Sequence, residues 1–195
     1  MFNVVKAELR KLRRPTLFFG TMGAALFFTA LITSFIYLMI DSPQGNSDRG
    51  RSIGREVLGL ASGSVNGFSS VGGFLGIIAL CVFAAQTAQE YTYGTLRNLL
   101  VRQPSRMKIL VGKLISMALF ALIMITIAAV VSIANSYILA PGANVSTDLW
   151  FTSDGFQAIF TTFVNVTISV IAFGILGMVL GLLLRSPISA ISFGV

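Results

Sequence analysis

Four segments of the chain are each long and apolar enough to cross a lipid bilayer. A helix needs about 20 mainly apolar residues to span the hydrocarbon core. The segments that meet this requirement are 17–40, 67–85, 114–139 and 156–184. With 55% hydrophobic and only 11% charged residues, the chain lies far from the composition of soluble domains. The sequence therefore predicts an all-α, polytopic transmembrane helix bundle.

The distribution of basic residues predicts the orientation of these spans. Eleven Lys and Arg residues lie before the first span, between the second and third, or at the end of the fourth, against three in the first loop on the other side. Cytoplasmic loops carry the excess of basic residues. We therefore predict a cytoplasmic N-terminus and a cytoplasmic segment 86–113. This placement explains the net charge of +7 without a nucleic-acid partner.

The composition argues against several kinds of chemistry. The chain has no histidine, and its single cysteine, Cys81, lies in an apolar segment, so neither an intrachain disulfide nor a Cys/His zinc site is expected. The pair Gly112–Lys113 lacks the flanking residues of a phosphate-binding loop. The central parts of the spans hold no ionisable residue of the kind that proton relays and membrane hydrolases need. We expect a non-enzymatic chain with no cofactor of its own.

The segment between the second and third spans is more elaborate than a simple connector. Gly94 is expected to bend or end the preceding helix, and Thr95 to cap a new one. Pro104 ends that helix, and Ser105 caps the next. The apolar side chains of the short helix share one face: Leu96, Leu99 and Leu100. Such a helix suits docking on another protein and lying on lipid headgroups equally well.

Glu90 stands out because it lies near the cytoplasmic end of the second span. A carboxylate there meets the negative end of the helix dipole. It is therefore expected to have a cationic partner, either Arg97, an N-terminal arginine or a residue on another protein. The alternative is that Glu90 reaches water with no specific partner.

The fourth span carries a stripe of uncharged polar residues on one helical face. They recur every four residues: Gln157, Thr161, Asn165 and Ser169. The stripe either lines a translocation path or forms hydrogen bonds between helices. Thr29 and Thr33 in the first span allow the same two interpretations.

Small residues and loop residues complete the pattern. The pairs Gly72/Gly76 and Gly177/Gly181 predict close helix packing, with a homodimer contact as the alternative. In the first loop a short interfacial helix is expected from Ser52 onward. Trp150, with Phe151, is expected at the level of the lipid headgroups. The apolar residues 187–195 are expected to begin a fifth span that is cut off at Val195.

The sequence "EYTYGTLRNLLVRQPSRMKILVGK" resembles the segment Glu, Gly-Thr-Leu-Arg, Pro-Ser-Arg and Gly-Lys of ATP-binding-cassette (ABC) type-2 permeases. The start, "VVKAELRKLRRPTLF", is similar to the amphipathic interfacial helix before the first span in that family, here residues 2–16. With the order of spans, the resemblance covers essentially the whole chain. It implies six spans in the intact subunit and a bacterial-type cytoplasmic (inner) membrane.

The resemblance also implies a function and partners. Segment 86–113 would contain the coupling helix, seated on a separate ABC ATPase that binds ATP and Mg²⁺. The contact would be formed or shaped by Glu90, Gly94, Thr95, Leu96, Arg97, Leu99, Leu100, Pro104, Ser105 and Arg106. Two ATPase copies and a second permease copy, identical or related, would complete an exporter of a hydrophobic or amphiphilic, drug-like or lipid-like substrate. The alternatives are a non-transporting membrane scaffold or sensor, and an ion-coupled carrier.

Overall fold

The computed structural model describes residues 2–40, 54–92, 106–184 and 187–194. Within these ranges the regular structure is helical and no β-strand occurs. The elements, in chain order, are α1 (Phe2–Leu12), α2 (Pro15–Leu38), α3 (Arg55–Gly59), a 3₁₀ turn (Gly63–Val65), α4 (Asn66–Thr92), α5 (Arg106–Leu139), α6 (Ser153–Leu184) and α7 (Pro187–Gly194). The all-α prediction is confirmed.

Four helices in the described part of the chain are long and apolar enough to span a membrane. They lie at Pro15–Leu38, Gly63–Glu90, Ile109–Leu139 and Ser153–Leu184. These are the four predicted spans, with bounds that differ by several residues. The multi-pass character of the chain is therefore supported by both its composition and its helices.

Local chemistry explains several helix ends. Pro15 occupies the first turn of α2, where a missing backbone N–H costs nothing. The backbone N–H of Gly155 donates to Oγ1 of Thr152 at 3.3 Å, so Thr152 caps α6 and starts it before the predicted residue 156. Pro141 follows the end of α5 and prevents its continuation.

The helices also extend into the predicted coupling segment. α4 continues to Thr92, and α5 begins at Arg106. Residues 86–92 and 106–113 are therefore continuations of the two flanking helices. The predicted bend and short helix fall in 93–105, outside the described residues.

The chain forms two compact units. The first consists of Met1–Gly23, Gly73–Met124 and Thr167–Val195, and the second of Ala24–Gly72 and Ile125–Val166. Each unit has its own buried apolar residues, among them Phe83 and Met117 in the first and Phe68 and Trp150 in the second.

The first unit is built around a close approach of α4 and α6. A Cβ atom on Gly177 would overlap the backbone carbonyl of Leu80, and one on Gly181 would lie 2.7 Å from the carbonyl oxygen of Ala84. Only glycine lets these backbones approach so closely. The prediction that this glycine pair serves helix packing is confirmed, and the contact lies within one chain.

The second unit is held by neutral polar contacts. The hydroxyls of Thr33 and Ser132 lie 3.1 Å apart and both residues are fully buried. Asn135 Nδ2 donates to the carbonyl oxygen of Ala30 at 3.2 Å and to Oγ of Ser34 at 3.0 Å. For Thr33, the hydrogen-bonding interpretation is thus supported.

Trp150 is enclosed by the protein. Its indole is fully buried, and Nε1 donates to the carbonyl oxygen of Leu58 at 2.9 Å. It packs in a cluster with Tyr37, Ala140 and Val145, so its expected position at the headgroup level stays a prediction. Phe151, by contrast, is 59% exposed. The indole N–H explains the difference, because its donor finds a carbonyl that α3 leaves free at its end.

Candidate functional site

Most of the predicted coupling residues lie outside the described part of the chain. They are Gly94, Thr95, Leu96, Arg97, Leu99, Leu100, Pro104 and Ser105. Glu90, in the last turn of α4, and Arg106, the first residue of α5, flank this segment. For Arg106 only the backbone is described. The site that can be built from the structure therefore begins at Glu90.

Glu90 is buried and contacts two lysines. Its side chain is 10% exposed, and Oε1 accepts a hydrogen bond from Nζ of Lys11 at 3.0 Å. Oε2 lies 2.7 Å from Nζ of Lys113, whose side chain is only 6% exposed. The second contact is an ion pair outside hydrogen-bond geometry. The expected cationic neighbour is therefore present, and among the described residues it is a pair of lysines, whereas Arg97 lies outside them.

Glu8 completes the group from α1. Lys11 Nζ donates to Oε1 of Glu8 at 2.7 Å, one helical turn away, and Glu8 is itself buried. We call Glu8, Lys11, Glu90 and Lys113 the ion cluster. It joins α1, the end of α4 and the start of α5 within the first unit.

The ion cluster balances its own charge. Its four members are two carboxylates and two ammonium groups, so their formal charges sum to zero, and Lys11 is the one member that is partly exposed. The two cations also offset the unfavourable position of Glu90 at the negative end of α4. Pairing with opposite charges is the form in which ionised groups are tolerated in a poorly solvated place, and Lys113 is paired in this way without a hydrogen bond.

The pKa of Lys11 lies above the ordinary lysine value. Burial is the largest single influence and lowers the pKa. The hydrogen bonds and charges of Glu8 and Glu90 together raise the pKa by more than burial lowers it. Since the folded-state pKa is raised, this ammonium stabilises the fold at every pH below the ordinary lysine pKa. That contribution is lost as the pH rises through the raised value.

Sequence analysis missed three members of the ion cluster. Lys11 enters the prediction only as part of a basic N-terminus and Lys113 only as a flanking cation, and Glu8 is given no role. One signal was visible: Glu8 and Lys11 are three residues apart, a spacing that places them on one helical face. Their partners are distant in the sequence, so spacing alone did not identify the cluster.

The polar stripe of α6 lies on the surface of the chain. Gln157, Thr161 and Asn165 are exposed in the second unit, and Ser169 is exposed in the first. Within the described ranges, none of the four forms a hydrogen bond to another helix. The interpretation that the stripe forms hydrogen bonds between helices of one chain therefore receives no support.

The comparisons with known proteins identify a family. No curated protein and no solved structure matches the chain significantly. Residues 27–195, most of the chain, match the profile of DUF2705, described as a protein of unknown function. The match covers three of the four long helices completely and the second half of α2, and it omits α1. The chain therefore belongs to the DUF2705 family.

Proposed function

We propose that this chain is the permease subunit of an ABC exporter of the type-2 kind, driven by separate ATPase subunits. The observation that carries the proposal is the ion pair between Glu90 and Lys113. It joins the end of α4 to the start of α5, the two helices on either side of residues 93–105.

This ion pair gives the intervening segment a mechanical property. The pair fixes the end of α4 to the start of α5. A displacement of residues 93–105, which we call the connector, therefore acts on both helices together. Lys11 fastens α1 to the same carboxylate. A force applied to the connector from outside the membrane is thus distributed over three helices, as coupling between an ATPase and a permease requires.

The sequence of the connector suits a protein partner. Leu96, Leu99 and Leu100 supply one apolar face, and Arg97 adds a charge beside it. We propose that Glu90, Gly94, Thr95 and Arg97 shape the contact with the ATPase. ATP and Mg²⁺ are bound by that partner. Coupling requires that the ATPase bind two states of the permease with different affinity.

The exposed stripe of α6 supports a transport role. An uncharged polar face is costly against lipid and suits a path shared with an amphiphilic or hydrophobic substrate. In this proposal a second permease copy, identical or related, completes the path that Gln157, Thr161, Asn165 and Ser169 begin. The subunit lies in a bacterial-type cytoplasmic membrane with α1 and the connector on the cytoplasmic side.

Co-purification with an ATPase tests the proposal. The chain is expressed with its genomic neighbours, purified in mild detergent and reconstituted in lipid nanodiscs, and ATP hydrolysis is measured. We expect a cassette ATPase to co-purify, and Arg97→Glu or Gly94→Pro to lower its hydrolysis at least roughly tenfold, the effect of losing about 1.4 kcal/mol of coupling. Arg51→Glu, the same charge change in the other loop, is the matched control and leaves hydrolysis unchanged.

The alternative outcomes are distinct. A different protein bound to the connector, with no nucleotide hydrolysis, would show that the chain is a scaffold or sensor. Transport in vesicles that contain only this chain and an ion gradient would instead identify an ion-coupled carrier.

A further inference from the structure

The outward face of α1 forms a groove with the start of α2 and the middle of α5. The groove has a volume of about 780 Å³, within the range of small-molecule sites. Three basic side chains line one wall: Lys6, Arg10 and Arg13. Lys6 and Arg10 lie on the face of α1 opposite Glu8 of the ion cluster, and Arg13 directly follows the helix, where its backbone N–H still donates to the carbonyl oxygen of Leu9.

These three cations differ from the lysines of the ion cluster. Lys6, Arg10 and Arg13 are exposed, and none takes part in an ion pair formed within the described part of the chain. They therefore bring three positive charges to one wall of the groove. A groove with this wall favours an anionic ligand.

The opposite wall is apolar and belongs to two span helices. Phe18 lies in α2, while Phe120 and Ile123 lie in α5, and the rings of Phe18 and Phe120 meet edge to face at 6.2 Å. Ile123 is 47% exposed and lies well within the candidate span Ile109–Leu139. The groove therefore runs from a basic rim toward residues that meet hydrocarbon in a membrane.

We propose that this groove is a binding site for an anionic phospholipid. The phosphate contacts Lys6, Arg10 and Arg13, and an acyl chain lies against Phe18, Phe120 and Ile123. A free phosphate or an acidic protein segment would use the basic rim but leave the apolar wall uncovered. Basic pockets beside transmembrane helices recognise anionic headgroups in this way. The inference does not depend on ATP-driven transport.

Native mass spectrometry of the whole purified chain in a neutral detergent tests the site. The probes are dioleoylphosphatidylglycerol and the zwitterionic dioleoylphosphatidylcholine. We expect one phosphatidylglycerol to bind more tightly than phosphatidylcholine. Each basic side chain beside an anionic lipid contributes about a fivefold factor in affinity, so the triple variant Lys6→Gln/Arg10→Gln/Arg13→Gln is expected to bind it about a hundredfold more weakly.

The matched control removes three charges elsewhere, by Arg14→Gln/Arg49→Gln/Arg51→Gln. It keeps wild-type affinity if the groove is the site, and an equal loss in this control would overturn the proposal. Arg10→Gln alone, an exposed single change, provides a second variant should the triple variant fail to fold. It lowers affinity about fivefold.

Two further arms separate the possible ligands. Millimolar glycerol phosphate does not displace dioleoylphosphatidylglycerol, and the dihexanoyl lipid binds more weakly than the dioleoyl lipid, if the apolar wall holds an acyl chain. Displacement by glycerol phosphate, or equal affinity for both chain lengths, would refute a lipid site. Unchanged lipid binding by the triple variant, with loss of a co-purifying protein, would assign the basic rim to that protein.

Discussion

The two compact units satisfy their buried polar groups in different ways. The first unit concentrates ionised groups, since Glu8, Glu90 and Lys113 are all buried there. The second unit uses neutral donors and acceptors, namely the Thr33–Ser132 hydroxyl pair and the Trp150–Leu58 hydrogen bond. The same helices, α2, α4, α5 and α6, contribute residues to both units.

This difference predicts how the stability of each unit responds to substitutions. A buried ion pair adds little net stability over an apolar pair, but removing one partner leaves the other as an uncompensated buried charge. Neutral hydrogen bonds in membrane proteins contribute little each, and their loss is cheap. The first unit should therefore tolerate single substitutions badly and compensated ones well. The second should respond weakly and additively.

Glu90→Gln is expected to have the largest effect. The change strands the buried ammonium of Lys113, at a cost of about 3–5 kcal/mol in the free energy of unfolding. Unfolding by SDS in mixed micelles, followed by circular dichroism, measures it. The double variant Glu90→Gln/Lys113→Met, which removes the stranded charge, recovers more than half of the loss. A single variant as stable as the wild type would show that the cluster is not formed.

Gly177→Ala tests the helix contact of the first unit. The added methyl group meets the backbone of Leu80, which cannot move aside, so we expect a loss of about 1–3 kcal/mol in the same assay. Gly72→Ala in the second unit meets only a methyl group of Val166 at 3.3 Å and costs less. Gly73→Ala, which meets open space, is the control and is neutral or stabilising. Equal losses at 177 and 73 would contradict the close approach.

Trp150→Phe tests the principal neutral anchor of the second unit. The ring keeps most of the packing but loses the hydrogen bond to the Leu58 carbonyl oxygen, so the free energy of unfolding falls by about 1 kcal/mol. Phe151→Leu, at the exposed neighbouring position, leaves stability unchanged. The reverse order of effects would mean that Phe151, and not Trp150, anchors this segment.

Thr33→Val is expected to have the smallest effect. The substitution keeps the shape and removes one hydroxyl pair, which costs about 0.6 kcal/mol in a membrane helix. A double-mutant cycle with Ser132→Ala isolates the pair, because it subtracts the effects of each side chain alone. A coupling energy as large as that of the ion cluster would remove the distinction between the two units.

The helices were predictable from the sequence, and the contacts between them were not. Apolar length alone located the four long helices, since a continuous apolar segment of about 20 residues satisfies its own backbone hydrogen bonds in lipid as a helix. The first turn of α6, which begins at Ser153, was not predicted. Thr152 caps the helix there, before the predicted start of the span at residue 156. The burial of Trp150 could not be predicted, because its partner, the Leu58 carbonyl, depends on how α3 ends.

The candidate site was predictable only in part. Glu90 stood out because a carboxylate at that end of a helix is unfavourable on local grounds. Lys11 and Lys113 did not, since a basic residue near the end of a span is ordinary. The contact between Glu90 and Lys11 joins residues 79 positions apart, and no local sequence pattern predicts a contact over such a separation.

The ion cluster also imposes an order on biosynthesis. The ribosome releases Glu8, Lys11 and Glu90 before Lys113, so a nascent chain that ends after the second span lacks one member of the cluster. The ion pair between Glu90 and Lys113 forms only after α5 has been made. The link between α1, α4 and α5 is therefore completed late, once the third span has followed the other two out of the ribosome.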